Sequence, residues 1–236
     1  MGAVQGHMVS KGYIAAWADK RNTVDVIDIQ GRRGYPSSIE AATTVGDVYD
    51  PAVLAHNLEA AYADVETDGI PVLVRLRNGA QSLSEKDREV TIAFLDMHLD
   101  RGRYADRADL RASAQVLLAG GEVRETELRL GDALLLSQSI PEVLRLKTLG
   151  LEAWEWRLWP TEELITGDGA VLLWPATDGA DICTVTFPLS PNCLLVIGKE
   201  LPDGVPMNDR IASNSKRWIV GARGSLNLNW AVETAT

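Results

Sequence analysis

The sequence predicts an α+β protein in which a helical N-terminal half packs on a mostly antiparallel sheet. The C-terminal half forms that sheet together with a strand pair from the N-terminus. Residues 50–150 carry apolar positions at helical spacing, whereas residues 151–236 alternate at the two-residue period of a strand. The character changes near residue 150 with no Pro/Gly/Ser-rich linker and no repeat, so a single domain over 1–236 is expected. At 236 residues the chain can bury most of its apolar surface in one core.

The elements follow in order. Tyr13 to Trp17 is a short apolar element. "TVDVIDI" at 23–29 sets Val24, Val26, Ile27 and Ile29 among aspartates, a strand pattern, and "QGRRGYP" turns the chain after it. Asp50-Pro51 is a helix start with proline at the first helical position, and Leu54, Leu58, Ala61 (or Tyr62) and Val65 recur at helical spacing. A helix is expected over 51–68, ended by Gly69, with residues 70–77 continuing as a second short one. Ser82 or Ser84 caps the next helix, Glu85 and Asp87 suit its positive end, and Val90, Phe94, Met97 and Leu99 form its apolar stripe. It is expected to run from 84 to about 117 with a break near Gly102, and Gly120-Gly121 stops it. A third helix is expected between Leu134 and Leu149. Beyond it, "LEAWEWRLW" reads as a strand, and "EELITGDGAVLLWP" as strand, turn, strand around Gly167-Asp168-Gly169. "CTVTFPLSPNCLLVIG" gives two strands separated by a turn at Pro188–Pro191, and "NDRIASNSKRWIVG" a last helix leading into a strand.

Composition narrows the function classes. A net charge of −10 argues against extended nucleic acid as a partner, because phosphate neutralisation dominates that affinity. Arg103, Arg107 and Arg111 fall at i, i+4, i+8 on one helix face, but Asp100, Asp106 and Asp109 are interleaved, which is the pattern of a salt-bridged solvent face. No apolar run approaches the roughly 18 residues of a membrane helix, and no secretory signal is present, so a cytoplasmic location is expected. Cys183 and Cys193 read as two free thiols rather than a hairpin disulfide, and without Cys-x-x-Cys or a Cys/His cluster no structural zinc is expected. Trp154, Trp156, Trp159 and Trp174 read as core packing, with an exposed patch as the alternative.

The phosphate-loop, dinucleotide, nucleophile-elbow and zinc-protease signatures are all missing. What remains is a dispersed polar set. Glu59 and Glu66, seven apart, project from nearly one helix face, and His98 and Arg101 share a face of the long helix. Asp168 sits between two glycines, where an aspartate most often caps local amides. The bland alternatives are a solvated helix end for Glu66 and a hydrogen-bonded histidine for His98. His7 lies in "GHMVSKGYIAAW". Gly-His-Met is a common tag remnant, but five residues precede it, and His7 is taken as native.

In order, "HMVSKGYI", "DVYD", "LEAAYADVE", "LSEKDREVTIAFLDMHLDRGR", "ELITGDGAV" and "TFPLSPNCLLVI" resemble domain-of-unknown-function family 4238, a family of bacterial proteins with no established activity. The resemblance spans roughly residues 7–220 and rests on order and spacing, each motif alone being weak. It implies that His7, Val9 and Tyr13 match the family's opening His-x-Val and tyrosine, and that Glu59 and Glu66 match its helix acids. His98 and Arg101 fall on its Gln-x-x-Arg, and Asp168 on its turn aspartate. Ser10 replaces the usual proline, His98 the usual glutamine, and Gly167 and Gly169-Ala170 the residues that flank the aspartate. The resemblance implies positions and no reaction.

Together these residues point to a metal-assisted hydrolase acting on a phosphate-containing, nucleotide-like small molecule. His7, Glu66, His98, Arg101 and Asp168 would be its catalytic set, and Glu66 and Asp168 would hold a divalent metal. The alternative is a non-catalytic binding or interaction protein of a bacterial defence or toxin–immunity module. In that case the polar set is a buried hydrogen-bond network and the acidic surface masks a basic partner.

Overall fold

A computed structural model describes residues 6–46, 58–80, 82–177 and 179–229 of the chain. It is α+β, with long helices in the N-terminal half and antiparallel sheets built mainly from the C-terminal half. The expected helix start at Asp50-Pro51, with Leu54 and "DVYD", lies outside the described residues.

The chain opens with β1 (Gly6–His7), α1 (Lys11–Ile14), β2 (Thr23–Asp28), β3 (Arg33–Ser38) and β4 (Thr44–Val45). β2 is buried along nearly its whole length, its aspartates included. A buried carboxylate is costly unless bonded, and both are. Asp25 pairs with Arg223 and accepts the Gly224 amide at 2.7 Å, while Asp28 accepts the Gly31 amide at 2.9 Å and faces Arg33 at 3.3 Å. The expected turn over 30–36 is shorter than that, because Arg33–Ser38 already pairs with β2 as a strand.

Next come α2 (Leu58–Arg77) and α3 (Glu85–Arg103). The expected stop at Gly69 does not occur, and 70–77 is no separate helix: α2 runs on through Gly69 and Pro71. Gly69 serves helix–helix contact, since a Cβ there would lie 2.9 Å from the Phe94 ring on α3. α3 begins at the expected cap, with the Asp87 amide donating to Ser84 Oγ at 3.1 Å and the Ser84 amide to Asp87 at 3.2 Å, a capping box. It ends at Arg103, well short of 117. Residues beyond it form β5 (Ala112–Leu117) and β6 (Val123–Leu128), a hairpin whose turn is Gly120-Gly121, with Gly121 at φ 82°. Arg103, Arg107 and Arg111 therefore do not share a helix face. Asp106 and Asp109 pair instead with Lys216 at 4.0 Å and Arg217 at 2.8 Å. The third helix, α4 (Leu130–Ser137), is earlier and shorter than expected.

The C-terminal half supplies β7 (Trp156–Pro160), β8 (Thr166–Gly167), β9 (Leu172–Pro175), β10 (Ile182–Ser190), β11 (Cys193–Gly198), α5 (Met207–Asn214) and β12 (Trp218–Gly221). One four-stranded sheet has the order β7-β11-β10-β9, and the other β3-β2-β12-β8. The "GDG" turn does not close a hairpin, because β8 pairs with β12 and β9 with β10, in different sheets. Pro188 stays in strand, opposite Leu194 beside a bulge, so the turn is tighter than Pro188–Pro191. Cys193 faces Ser190 at the turn end of the β10–β11 pair and Cys183 lies at the other end, so both are free thiols.

One buried cluster joins Tyr13, Ile14 and Trp17 with Leu73 and Leu76 of α2, Phe94 and Leu95 of α3, and Val185, Phe187 and Leu189 of β10. Full burial of each large apolar side chain stabilises by roughly 1.5–3 kcal/mol, which fixes the helices on the sheet. The four tryptophans are all half-buried and divide among three clusters: Trp154 and Trp156 on the main core, Trp174 and Trp159 on the two smaller ones. Among the described residues no helix is long and apolar enough to cross a membrane.

Candidate functional site

Glu59, Tyr62 and Glu66 recur at i, i+3 and i+7, so α2 presents them on one face. Opposite stands Arg101 of α3, with only 4% of its side chain exposed. Its guanidinium donates to Glu66 at 2.6 Å and to Glu59 at 3.5 Å, and lies 4.6 Å from the centre of the Tyr62 ring. A buried guanidinium needs this company, since an unpaired charge at such depth is costly.

His7, on β1, lies within electrostatic reach of this group. Pairing of His7 with Thr44 brings the N-terminal segment alongside β4. Thr43, held at φ 58°, clamps the following turn: its hydroxyl donates to the Val9 carbonyl at 3.1 Å and accepts the Val9 amide at 3.3 Å. His7 Nε2 lies 3.1 Å from the Glu40 carbonyl. A carbonyl can only accept, so Nε2 carries the proton there and Nδ1 is left as a base. Burial lowers the His7 pKa below its ordinary value. The Glu40 carbonyl and Glu66 oppose that shift, and Arg101 and Lys11 add to it. The ring is therefore neutral at pH 7 and lies within the field of both Glu66 and Arg101.

The other two candidates are used elsewhere. His98 is fully buried, with Nε2 donating to the Gly167 carbonyl at 2.9 Å and edge-on contacts to Tyr13 and Phe187. Burial, with Arg101 nearby, pushes its pKa down to about 4. Asp168 accepts the Lys216 amide at 3.1 Å and the Arg217 amide at 2.9 Å, one on each carboxylate oxygen. Burial raises its pKa to about 6 even though those amides pull it down. The structure therefore joins Glu59, Glu66 and Arg101, leaves His7 within the electrostatic reach of Glu66 and Arg101, and gives His98 and Asp168 to backbone groups. Of the expected metal pair, Glu66 is paired with Arg101 and each Asp168 oxygen accepts one amide. Among the described residues no group of three or more His, Cys, Asp or Glu is placed to hold an ion.

Sequence reasoning did not assign Tyr62 to this group, although its place between Glu59 and Glu66 on one helix face was the available signal. It also missed the anchor beneath the site. The Tyr13 hydroxyl bonds Thr166 Oγ1 and the Pro188 carbonyl, both at 2.7 Å, and Trp17 Nε1 donates to the Leu164 carbonyl at 2.6 Å.

No protein-family model matches the chain, and neither the curated proteins nor the solved structures contain a significant match.

Proposed function

We propose that the protein is a bacterial, cytoplasmic hydrolase of a phosphate-containing, nucleotide-like small molecule. In this reading His7 is its general base, Glu66 holds Arg101 in place, and Arg101 faces the charge that develops on the substrate. The observation that carries the reading is the proton inventory of His7. It is a neutral imidazole whose Nε2–H is bonded to the Glu40 carbonyl and whose other nitrogen has no hydrogen-bond partner among the described residues, within the field of a carboxylate–guanidinium pair. The resemblance to family 4238 supports the same positions and adds no reaction. Asp168 and a protein-held metal have no part in this reading.

The test is release of phosphate from nucleoside triphosphates, and of the phenol from an activated aryl phosphodiester, by the wild type and by His7→Gln. Turnover should require a neutral histidine, so the acid limb of the pH profile should fall below pH 6.5, the ordinary value that burial lowers. A His7→Gln protein that turns over at the wild-type rate sinks the assignment.

A second reading is favoured by a specific observation, the commitment of His98 and Asp168 to backbone groups. In it the polar set locks helices to sheet in a non-catalytic interaction protein, for instance of a bacterial defence or toxin–immunity module. Under that reading Arg101→Met lowers stability and changes no turnover.

A further inference from the structure

Between α3 and α4 the chain makes the β5–β6 hairpin, which joins neither four-stranded sheet. Among the described residues none of its side chains belongs to a buried hydrophobic cluster. Its own ladder holds it, and a two-stranded hairpin standing alone is only marginally stable in water. Two apolar side chains sit opposite each other near its turn in full view of solvent, Leu117 at 71% exposure and Val123 at 57%.

The ladder decides which backbone groups are left over. At the turn the Leu118 amide donates to the Glu122 carbonyl at 2.9 Å, so Leu118 faces β6. Strand residues alternate in the direction of their amide and carbonyl. Val116, Ala114 and Ala112 therefore face β6 as well, opposite Arg124, Thr126 and Leu128. Ser113, Gln115 and Leu117 point their N–H and C=O groups away from the hairpin, and all three residues are exposed. Among the described residues no strand pairs with that edge.

Proteins ordinarily blunt an open edge with charge, proline or shortness. The other edges here follow that rule. β1, β4 and β8 are two residues long, β3, β7 and β9 contain Pro36, Pro160 and Pro175, and β6 carries Arg124, Glu125 and Glu127. β5 does not follow it. Residues 112–121 hold no charge and no proline, in a chain that is 24% charged.

We propose that the outer edge of β5 pairs antiparallel with the same edge of a second copy of this chain. The resulting dimer carries a four-stranded sheet in the order β6-β5-β5-β6. Charge selects a second copy as the occupant. Each chain carries −10, so two copies repel overall, and they repel least where both surfaces are uncharged. The same edge offers a charged peptide no complementary partner. Geometry selects it too, because the three outward residues are symmetric about Gln115. A two-fold axis there sets Gln115 opposite Gln115 of the other copy and Ser113 opposite its Leu117, and every outward N–H and C=O is used. The proposal does not rest on the hydrolase reading.

The test is sedimentation equilibrium of the full chain over about 1–500 µM, joined to residue-resolved amide hydrogen exchange. A three-residue edge buries less than the ~1,200 Å² of a standard interface, so a dimer with a Kd on the order of 10–100 µM is expected. Exchange at Ser113, Gln115 and Leu117 should slow severalfold from low to high concentration. Exchange at Glu125 and Glu127, which face outward from β6, should not. Gln115→Pro deletes one outward N–H and leaves the β5–β6 ladder whole. Leu117→Lys puts a charge on the edge at an exposed residue, which leaves the fold intact. Each should raise the Kd about tenfold or more, the size of two lost hydrogen bonds per dimer. Leu136→Lys, at an exposed leucine of α4, should keep the wild-type value. A chain that stays monomeric throughout, as an edge reserved for a different protein would, overturns the proposal. So does a dimer that both β5 variants leave unchanged, or one in which the β5 amides exchange no more slowly.

Discussion

Replacing His98 by glutamine isolates one pH-dependent contribution that the geometry defines. Glutamine keeps an N–H donor for the Gly167 carbonyl and removes the titrating ring. In the folded protein burial holds the His98 pKa down to about 4, against an ordinary value of 6.5. Between those values the unfolded chain binds a proton that the folded chain refuses, so stability falls as pH falls through the window. At about 1.4 kcal/mol per pKa unit, the difference is about 3 kcal/mol by pH 4. Asp168 works in the opposite sense, because its raised pKa lets the folded chain take a proton first as pH falls below about 6. That contribution is common to both proteins and cancels on subtraction. Urea unfolding followed by tryptophan fluorescence, at intervals from pH 7.5 to 4.5, gives the two curves. They should lie parallel above pH 7 and separate below 6.5, the gap moving in favour of His98→Gln by about 2–3 kcal/mol near pH 4.5. Parallel curves throughout would refute the account of His98 as a neutral, buried donor.

Three further outcomes are expected. Gly102→Ala would set a Cβ 2.0 Å from the Asp168 carbonyl, so backbone must move; a loss above about 3 kcal/mol in urea unfolding is expected, and a near-neutral variant would show that the helix is not pressed on that turn. Tyr13→Phe strands the Pro188 carbonyl and should cost about 1–3 kcal/mol, read as a lower melting temperature at constant ring packing. Arg101→Met leaves Glu59 and Glu66 without their shared cation and should cost about 3–5 kcal/mol, with the loss recovered in a Glu59→Gln, Glu66→Gln background if the cost is unpaired charge.

The periodic parts of the chain were legible because the period is itself the cause of the element. The α3 stripe with its Ser84 cap, the β-branched run of β2 and the final helix–strand pair are all read directly from the sequence. The errors came where long-range contact outweighs local preference. Gly69 and Pro71 look like a helix end, but Gly69 lies where Phe94 of another helix must come close, and packing carries α2 across both residues. Residues 112–117 carry alanines compatible with either state and are drawn into a strand by pairing with β6. At the site, the face shared by Glu59, Tyr62 and Glu66 follows from helix geometry, whereas their meeting with Arg101 and the nearness of His7 depend on how two helices and the first strand pack. Nothing in "TGDGA" says which way the aspartate turns. Its carboxylate meets the amides of Lys216 and Arg217, 48 and 49 residues further on.

The anchoring of Tyr13 on Pro188 also fixes an order of events during synthesis. The tyrosine leaves the ribosome 175 residues before the carbonyl that its hydroxyl binds. At ~5–20 residues per second that interval is about 9–35 s. Through that time Tyr13, Ile14 and Trp17 have no β10 to cover them, and His7 has neither Glu66 nor Arg101 nearby until the two long helices have been made. A segment made before the strand that covers it is thus among the last to be seated, and until then it is an apolar, aromatic stretch open to a chaperone.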